Sequence, residues 1–295
     1  MDKCKLYELE FYEKVYVMSV IVALFLGLVQ GIAEFLPISS SGHLSILQNL
    51  FRMEYSEESH LLFDVLLHLG TLVSICAVYR VEIKEMIVDG IEYLRLKSDS
   101  NSDEPVVLKP PGRALLFVIV GTLPLFLFFW IPVSRLFFNT YFIGFSLIMT
   151  GFILYVASNY IKEGNKTDKT MTLTDAILIG LAQAVAVVPG LSRSGTTISV
   201  GLARGLSGAF AVRFSLMLSI PAVLGATVVS IYRAISGGAD FYLLPTYLAG
   251  FVVAAGVGYF AIQFLRRLMA NRKFGNIAYY CWGVGLVTII WSIIR

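Results

Sequence analysis

A carboxylate and three consecutive hydroxyls stand close together in residues 30–43, which read QGIAEFLPISSSGH. Gln30 and Glu34 are four residues apart, so both side chains would lie on one face of a helix. Pro37 would end that helix, because proline lacks an N–H donor and clashes with the preceding turn. The stretch therefore predicts a short helix whose polar face ends at a break in the backbone.

The residues after this break have the side chains needed to bind an anion and act on it. Ser39, Ser40 and Ser41 would supply capping oxygens and unpaired amides at the start of a second helix, which is a good anion site. His43 follows within the first turn of that helix, close to what the amides would hold. Together these residues offer anion binding, a nucleophile and an acid/base group.

A second stretch, PGLSRSGTT at residues 189–197, repeats this arrangement later in the chain. Its proline and glycine would break a helix, and Ser192 and Ser194 flank Arg193 at the start of the next one. The planar guanidinium of Arg193 suits a phosphate bidentately, and Thr197 adds a hydroxyl. If the two stretches meet, their side chains fit phosphoryl chemistry. The sequence has neither a P-loop nor an HExxH-type zinc helix.

The rest of the chain is strongly apolar. Of 295 residues, 57% are hydrophobic and only 15% are charged, and the mean hydropathy is +0.77. A soluble protein of this length would carry more charge. The composition predicts an all-α, polytopic membrane protein, with residues 1–295 forming a single integral-membrane domain. The net charge of +3 is too small to indicate a nucleic-acid partner.

Several apolar segments reach the roughly 20 residues that a membrane-spanning helix needs. Six of them are uninterrupted: about 61–80, 113–132, 139–161, 209–233, 243–266 and 276–294. Residues 15–50 and 173–203 are also apolar, but the two polar stretches interrupt them. Irregular backbone at membrane depth is tolerated only where protein or an aqueous cavity surrounds it. We therefore predict two re-entrant helix hairpins in addition to the six spans.

The two interrupted regions resemble each other at a fixed offset of 153 residues. This offset pairs Gly27, Gln30, Ser39, Ser41 and Gly42 with Gly180, Gln183, Ser192, Ser194 and Gly195. It also pairs Tyr79-Arg80 with Tyr232-Arg233. We interpret the pattern as an internal repeat of about residues 15–161 and 173–294. Each copy would hold one hairpin and three spans, and because three is odd, the second copy would have inverted topology.

Lys and Arg residues concentrate in the loops of one membrane face. Six lie in residues 80–113 and four in residues 266–273, so we expect this face to be cytoplasmic and both termini to lie outside. Residues 81–96 of the same face would form an amphipathic surface helix, before a flexible loop at 97–111. Its membrane-facing residues would be Val81, Met86, Ile87 and Leu94.

Four segments together resemble the undecaprenyl-diphosphate phosphatase (bacitracin-resistance) family: LGLVQGIAEFLPISSSGHL, DVLLHLGTL, PGLSRSGTTI and FSLMLSIPAVLGA. The similarity extends over nearly the whole chain. It implies a plasma-membrane enzyme that hydrolyses undecaprenyl (polyprenyl) diphosphate to the monophosphate and inorganic phosphate, recycling the lipid carrier for cell-wall and glycan synthesis. It also implies an active site that faces outside and uses a divalent cation, Mg²⁺ or Ca²⁺.

The resemblance implies a role for each residue singled out above. Glu34 matches the second position of the family's acidic motif and is a candidate metal ligand, while Gln30 takes the first position, where the family has Glu or Gln. Ser40 matches the proposed nucleophile, His43 the acid/base histidine and Arg193 the phosphate-binding arginine. The remaining substrate-binding candidates are Ser39, Ser41, Ser192, Ser194 and Thr197. Glu34 is the only carboxylate of its stretch, so a cation would need further ligands elsewhere.

Several alternatives stay open at this point. Water activated by His43 could attack in place of Ser40. Asp64 and His68, four residues apart on the next span, could support the site or form a plain interhelical hydrogen bond. Inverted repeats with broken helices are also typical of transporters, so the protein could carry a polyprenyl phosphate or another anionic lipid across the membrane. Membrane lipids are the expected surroundings, and the sequence is compatible with a homodimer.

Overall fold

The computed structural model describes residues 19–51, 57–98, 108–128, 139–162, 164–237, 241–271 and 274–294. Within these ranges the regular structure is helical, as the sequence predicts, apart from one isolated β-bridge between Lys166 and Leu206. The helices are α1 Val20–Ala33, α2 Ser40–Leu50, α3 Glu57–Val78, α4 Arg80–Ser98, α5 Pro110–Thr122, α6 Leu125–Phe128, α7 Thr140–Tyr160, α8 Leu173–Val185, α9 Arg193–Ala203, α10 Gly208–Ser236, α11 Leu244–Ala270 and α12 Ile277–Ile294. Short 3₁₀ turns, Phe241–Leu243 and Phe274–Asn276, precede the last two.

Six helical segments of the described chain are long and apolar enough to cross a membrane. They are Leu61–Val78, Pro110–Leu127, Thr140–Tyr160, Gly208–Ser236, Leu244–Ala270 and Phe274–Ile294. Each overlaps one of the predicted spans, so the six spans are confirmed by length and composition. Large apolar side chains on their outer surfaces are exposed, for example Val228 at 69% and Phe260 at 71%, as expected where lipid covers a protein.

The two interrupted regions each form a pair of short helices joined by a turn. In the first pair α1 has 14 residues and α2 has 11, and in the second α8 has 13 and α9 has 11. Each is shorter than the roughly 20 residues needed to cross a bilayer alone. The helices α2 and α9 begin at Ser40 and Arg193, which the repeat offset pairs. It remains a prediction that each pair enters and leaves the membrane on the same face. The inverted topology of the repeat also remains a prediction.

Each short pair packs against a span from the other half of the chain. Helix α1 lies on α11, where Gly27 faces the backbone of Gly250, and α8 lies on α5, where Gly180 faces the backbone of Gly121. A Cβ atom at Gly27 or Gly180 would collide with the facing main chain. Because Gly27 and Gly180 are partners in the repeat, the same close helix crossing is used twice.

The two halves also meet along α7 and α12, which cross at a pair of glycines. A Cβ atom at Gly144 would lie 2.9 Å from the Gly285 carbonyl oxygen, and one at Gly285 would lie 2.7 Å from the Gly144 carbonyl oxygen. Helices α3 and α10 pack together as well. Helices of the two halves therefore pack against each other around a shared interior. The turns of the two short-helix pairs lie in this interior.

A buried ion cluster attaches the segment between the halves to the second short pair. Asp175 has no solvent exposure and accepts hydrogen bonds from Lys166 Nζ at 2.9 Å and Arg204 Nε at 2.8 Å. It also forms a capping box with Thr172 at the start of α8. The buried carboxylate is tolerated because two cations and the cap satisfy its oxygens.

The predicted amphipathic segment forms α4, but one of its four apolar residues is placed differently. Val81, Ile87 and Leu94 are exposed, whereas Met86 is 9% exposed and belongs to the hydrophobic core. The expectation for Met86 is wrong because α4 packs on α5, which buries one side of the helix against protein. Most of the predicted loop at 97–111 lies outside the described residues.

Candidate active site

The turns of the two short-helix pairs meet inside the protein. A Cβ atom at Gly42 would lie 3.1 Å from Gly190 Cα, and one at Gly195 would lie 3.1 Å from Pro37 Cβ. Gly190 has a φ of +90°, which glycine adopts without steric cost. The structure therefore brings together the two polar stretches that are far apart in the sequence.

A buried serine caps the second helix of each pair. Ser39 Oγ accepts a hydrogen bond from the Gly42 N–H at 3.3 Å, and Ser192 Oγ accepts one from the Gly195 N–H at 3.1 Å. Ser39 also has a φ of +71°, in a region that residues with a Cβ rarely adopt. Backbone strain of this kind is concentrated at functional sites, and here it directly precedes Ser40.

Glu34 lies at the centre of the site, and both of its carboxylate oxygens have partners. The residue is 7% exposed and caps the C-terminus of α1. Arg193 Nη2 donates to Oε1, so an ion pair joins the first turn to the second. Ser40 Oγ donates to Oε2 at 2.6 Å, and Gln30 Nε2 donates to the same oxygen at 3.0 Å. These partners offset the cost of burying a carboxylate.

The other predicted serines and threonine are close to the centre but have different partners. Ser39 and Ser41 lie with their Oγ atoms 3.4 Å apart, and the Oγ atoms of Ser192 and Ser194 are 3.3 Å apart. The Thr197 hydroxyl donates to the Arg193 carbonyl oxygen at 2.8 Å and lies 2.6 Å from Ser215 Oγ. Thr197 is 1% exposed, so it supports α9 from within the protein.

Thr150 on α7 anchors the second turn, and the sequence did not single it out. Its hydroxyl donates to the Gly190 carbonyl oxygen at 3.0 Å and accepts from the Ser192 N–H, also at 3.0 Å. Thr150 is 1% exposed. A threonine inside an apolar span carries no sequence signal for this role, because the contact depends on how α7 packs against the turn.

His43 is near the turn, but its ring nitrogens contact other groups. Nδ1 lies 2.8 Å from the Ser39 carbonyl oxygen, to which it donates, and Nε2 lies 2.8 Å from the Tyr280 hydroxyl. The rings of His43 and Tyr280 are stacked with centroids 5.7 Å apart and an angle of 7° between planes. Tyr280 comes from α12 and is a residue that the sequence reasoning missed.

His68 on α3 also lies close to Glu34. Its Nε2 lies 3.7 Å from Glu34 Oε2. Its Nδ1 donates to the Asp64 carbonyl oxygen at 2.7 Å, one turn earlier in the same helix. The Asp64 side chain accepts a hydrogen bond from Gln48 Nε2 at 2.8 Å. Of the pair that the sequence left open, His68 faces the site through its side chain, and Asp64 holds the ring through its backbone.

The residues of the site differ in their exposure to solvent. Gln30, Ser39 and Ser192 are buried, whereas Ser40 and Arg193 are half-buried. The described residues contain no cluster of three His, Cys, Asp or Glu side chains that could hold a metal ion. Mg²⁺ is commonly bound by one or two carboxylates together with substrate phosphates and water, and Glu34 fits that mode as a single protein ligand.

This combination defines a class of protein. A multi-pass membrane fold encloses a buried carboxylate, a hydroxyl bonded to it and an arginine that neutralises it, all at the junction of two broken helices. The chain matches the family described as Bacitracin resistance protein BacA over residues 23–287, and it belongs to that family.

Individual relatives agree with the family match. The chain is 41% identical over 286 residues to an undecaprenyl-diphosphatase of Methanobrevibacter smithii, covering 94% of this chain and 99% of the relative. It is 39% identical over 274 residues to an undecaprenyl-diphosphatase of Carboxydothermus hydrogenoformans, covering 91% and 95%. Undecaprenyl-diphosphatase 1 of Shouchella clausii is 37% identical over 282 residues, covering 93% and 97%.

Proposed function

We propose that this protein is an integral-membrane undecaprenyl-diphosphatase, which hydrolyses a polyprenyl diphosphate to the lipid monophosphate and inorganic phosphate. The observation that carries the proposal is the Glu34 carboxylate, which contacts a hydroxyl from one turn and a guanidinium from the other. Family membership and the relatives' printed names support the same reaction. Hydrolysis would return the lipid carrier to cell-wall and glycan synthesis.

Arg193 and the N-termini of α2 and α9 would hold the diphosphate. The Arg193 side chain is 23% exposed, and its fork of donors matches phosphate oxygens. The first-turn amides of both helices would add hydrogen bonds to the anion. Phosphate oxygens would share the guanidinium with Glu34, which leaves the carboxylate better able to act on Ser40.

Ser40 is the proposed nucleophile because its hydroxyl already donates to Glu34 Oε2 at 2.6 Å. Glu34 would take the hydroxyl proton as the Oγ–phosphorus bond forms. The bond from the terminal phosphorus to the bridging oxygen breaks, and the lipid monophosphate leaves. Water then hydrolyses the phosphoserine, which releases inorganic phosphate and restores the hydroxyl. Direct attack by water is the alternative, and activity that survives Ser40→Ala would select it.

Two further groups complete the proposal. His43 would serve as acid/base group in the water step, exchanging its bond with the Tyr280 hydroxyl for one to water. With the Arg193 guanidinium shared with the phosphate, Glu34 Oε1 would be available to a divalent cation, Mg²⁺ or Ca²⁺, that the diphosphate oxygens also bind, while Oε2 keeps the Ser40 hydroxyl. Such a cation supplies positive charge that neutralises the phosphates.

The loop charges support a site that opens to the outside of the plasma membrane, with both termini on that side. The isoprenoid tail would leave between spans into the bilayer. Glu34, Ser40 and Arg193 come from a single chain, so a homodimer is compatible with the site and adds nothing needed to complete it.

Phosphate release by purified protein in detergent tests the function. We expect release from undecaprenyl and farnesyl diphosphate, a strong reduction by EDTA, and a loss of about 10² to 10³-fold in Glu34→Gln and Arg193→Ala. Glu92→Gln is the matched control, because it removes an exposed carboxylate that pairs with Lys109 far from the site. A detergent micelle does not separate two compartments, so a pure transporter would release no phosphate in this assay. Full activity in both variants would remove the catalytic assignment of Glu34 and Arg193.

A further inference from the structure

His68 has one ring nitrogen without a hydrogen-bond partner among the described residues. Nδ1 is held by the Asp64 carbonyl oxygen at 2.7 Å, which fixes the ring and points Nε2 at the active site. The 3.7 Å between Nε2 and Glu34 Oε2 is longer than a hydrogen bond. The His68 side chain is 32% exposed and that of Glu34 only 5%, so solvent reaches the imidazole more readily than the carboxylate.

His43 does not offer a comparable atom. Both of its ring nitrogens lie 2.8 Å from a partner, the Ser39 carbonyl oxygen and the Tyr280 hydroxyl. Of the two histidines whose side chains the structure describes, His68 is therefore the one that presents an open nitrogen to the carboxylate. A polar atom beside a candidate anion site, held in place by its own helix, is arranged to meet the ligand.

The internal repeat supplies an independent argument. Residues that build both turns recur in the two halves, as the capping serines do. Glu34, at the reacting centre, occurs in one half only, because the 153-residue offset places Val187 opposite it. His68 likewise occurs in one half only, since Pro221, inside α10, stands at its matching position.

We infer that His68 is a further catalytic residue, whose imidazolium form donates a hydrogen bond from Nε2–H to the terminal phosphate of the bound diphosphate. Nδ1–H is already given to the Asp64 carbonyl oxygen, so only that form has a second donor at Nε2. The inference rests on the proposed function and adds a contact to it from a third element. Arg193 would bind the phosphate from the second turn, and the first-turn amides of α2 would bind it from the first turn. His68 would add a contact from the α3 span. Three directions of contact would fix the phosphorus in line with Ser40.

Two variants separate this contact from packing. His68→Leu keeps most of the side-chain volume but removes the ring nitrogen, and His68→Gln restores an N–H at a similar distance from the backbone. We expect His68→Leu to lower kcat/KM about 10 to 100-fold, the value of one hydrogen bond to a charged group. His68→Gln should recover most of this loss. Val73→Ala, on the same helix at a position 49% exposed, should match the unmodified protein.

Inorganic phosphate provides a readout that does not depend on turnover. A ligand that binds the folded state raises the unfolding temperature, and at a fixed concentration the rise grows with the logarithm of its affinity. Phosphate should therefore stabilise the unmodified protein and the Val73→Ala variant, and should stabilise His68→Leu clearly less. It should also inhibit the unmodified enzyme about tenfold more strongly than His68→Leu.

Each other result has a defined meaning. Unchanged phosphate affinity and kcat/KM in His68→Leu would overturn the contact, and so would equal losses in His68→Leu and His68→Gln, which would indicate packing alone. If the unmodified protein released no phosphate from any polyprenyl diphosphate, the proposed function would fail instead. The thermal shift with phosphate would then still decide whether His68 binds the anion.

Discussion

The buried charge of Glu34 is stable because its partners come from several directions. Arg193 neutralises it, and Ser40 and Gln30 donate hydrogen bonds to it. Removing a partner from a buried ion pair typically costs about 3–5 kcal/mol, since the remaining charge is left uncompensated. The activity of Arg193→Ala therefore has to be compared with the fraction of that variant that is folded. Glu34→Gln keeps the shape of the side chain and removes only the charge.

Tyr280 is the residue whose effect on His43 can be isolated most cleanly. Tyr280→Phe keeps the stacked ring but removes the hydroxyl that lies 2.8 Å from His43 Nε2. Because the hydroxyl holds the imidazole in position until water takes its place, we expect kcat to fall about five- to tenfold, the value of one hydrogen bond, with KM nearly unchanged. Steady-state kinetics with farnesyl diphosphate would measure this.

The neighbouring tyrosine is the control for that substitution. Tyr279 is 61% exposed, and its ring packs against Trp282 and Tyr155 rather than His43. Tyr279→Phe should therefore leave both kcat and KM as they are. Identical kinetics for Tyr280→Phe and the unmodified enzyme would show that the His43–Tyr280 hydrogen bond has no part in turnover.

At the scale of elements, the position of each short pair depends on a glycine crossing with the other half. A methyl group at Gly27 would meet the Gly250 backbone, so α1 and α11 would have to separate. We expect Gly27→Ala to cost about 1–3 kcal/mol of stability and to lower the apparent unfolding temperature in detergent. Activity should fall as well, because α1 carries Glu34 at its end.

Gly256 lies on α11, the helix that contains Gly250, and is the matched control, since a Cβ atom there would meet nothing within 4 Å. Gly256→Ala should leave the unfolding temperature unchanged or raise it slightly, because alanine favours a helix by up to about 1 kcal/mol over glycine. A Gly27→Ala variant as stable and as active as Gly256→Ala would contradict the proposed role of the crossing.

For the whole molecule, the testable quantity is its orientation in the membrane. In a variant with Cys4, Cys76 and Cys281 replaced by serine, single cysteines at Lys97 and Ser236 would report the two faces. Both positions are exposed. The loop charges predict that an impermeant maleimide labels Ser236→Cys in intact cells and Lys97→Cys only after permeabilisation. The reverse pattern would place the active site inside, and equal labelling of both would indicate dual orientation.

The amino-acid sequence by itself determined the helical spans and the stretches that form the site. Runs of apolar residues must be helical in a membrane, because only a helix pairs its own backbone groups there. The breaks at Pro37 and Pro189 follow equally from local chemistry. Local chemistry also singled out Glu34 and Arg193, whereas the choice of Ser40 among three adjacent serines came from the family resemblance.

Only the tertiary structure decided which polar groups meet. His43 bonds Tyr280, which is 237 residues away, and Thr197 bonds Ser215 inside the protein. His68 approaches Glu34 from a span that the sequence could not orient. A side chain's partner depends on the rotation and crossing point of helices that are distant in the chain, and here those crossings are fixed by glycine contacts between the halves. No local pattern encodes that geometry.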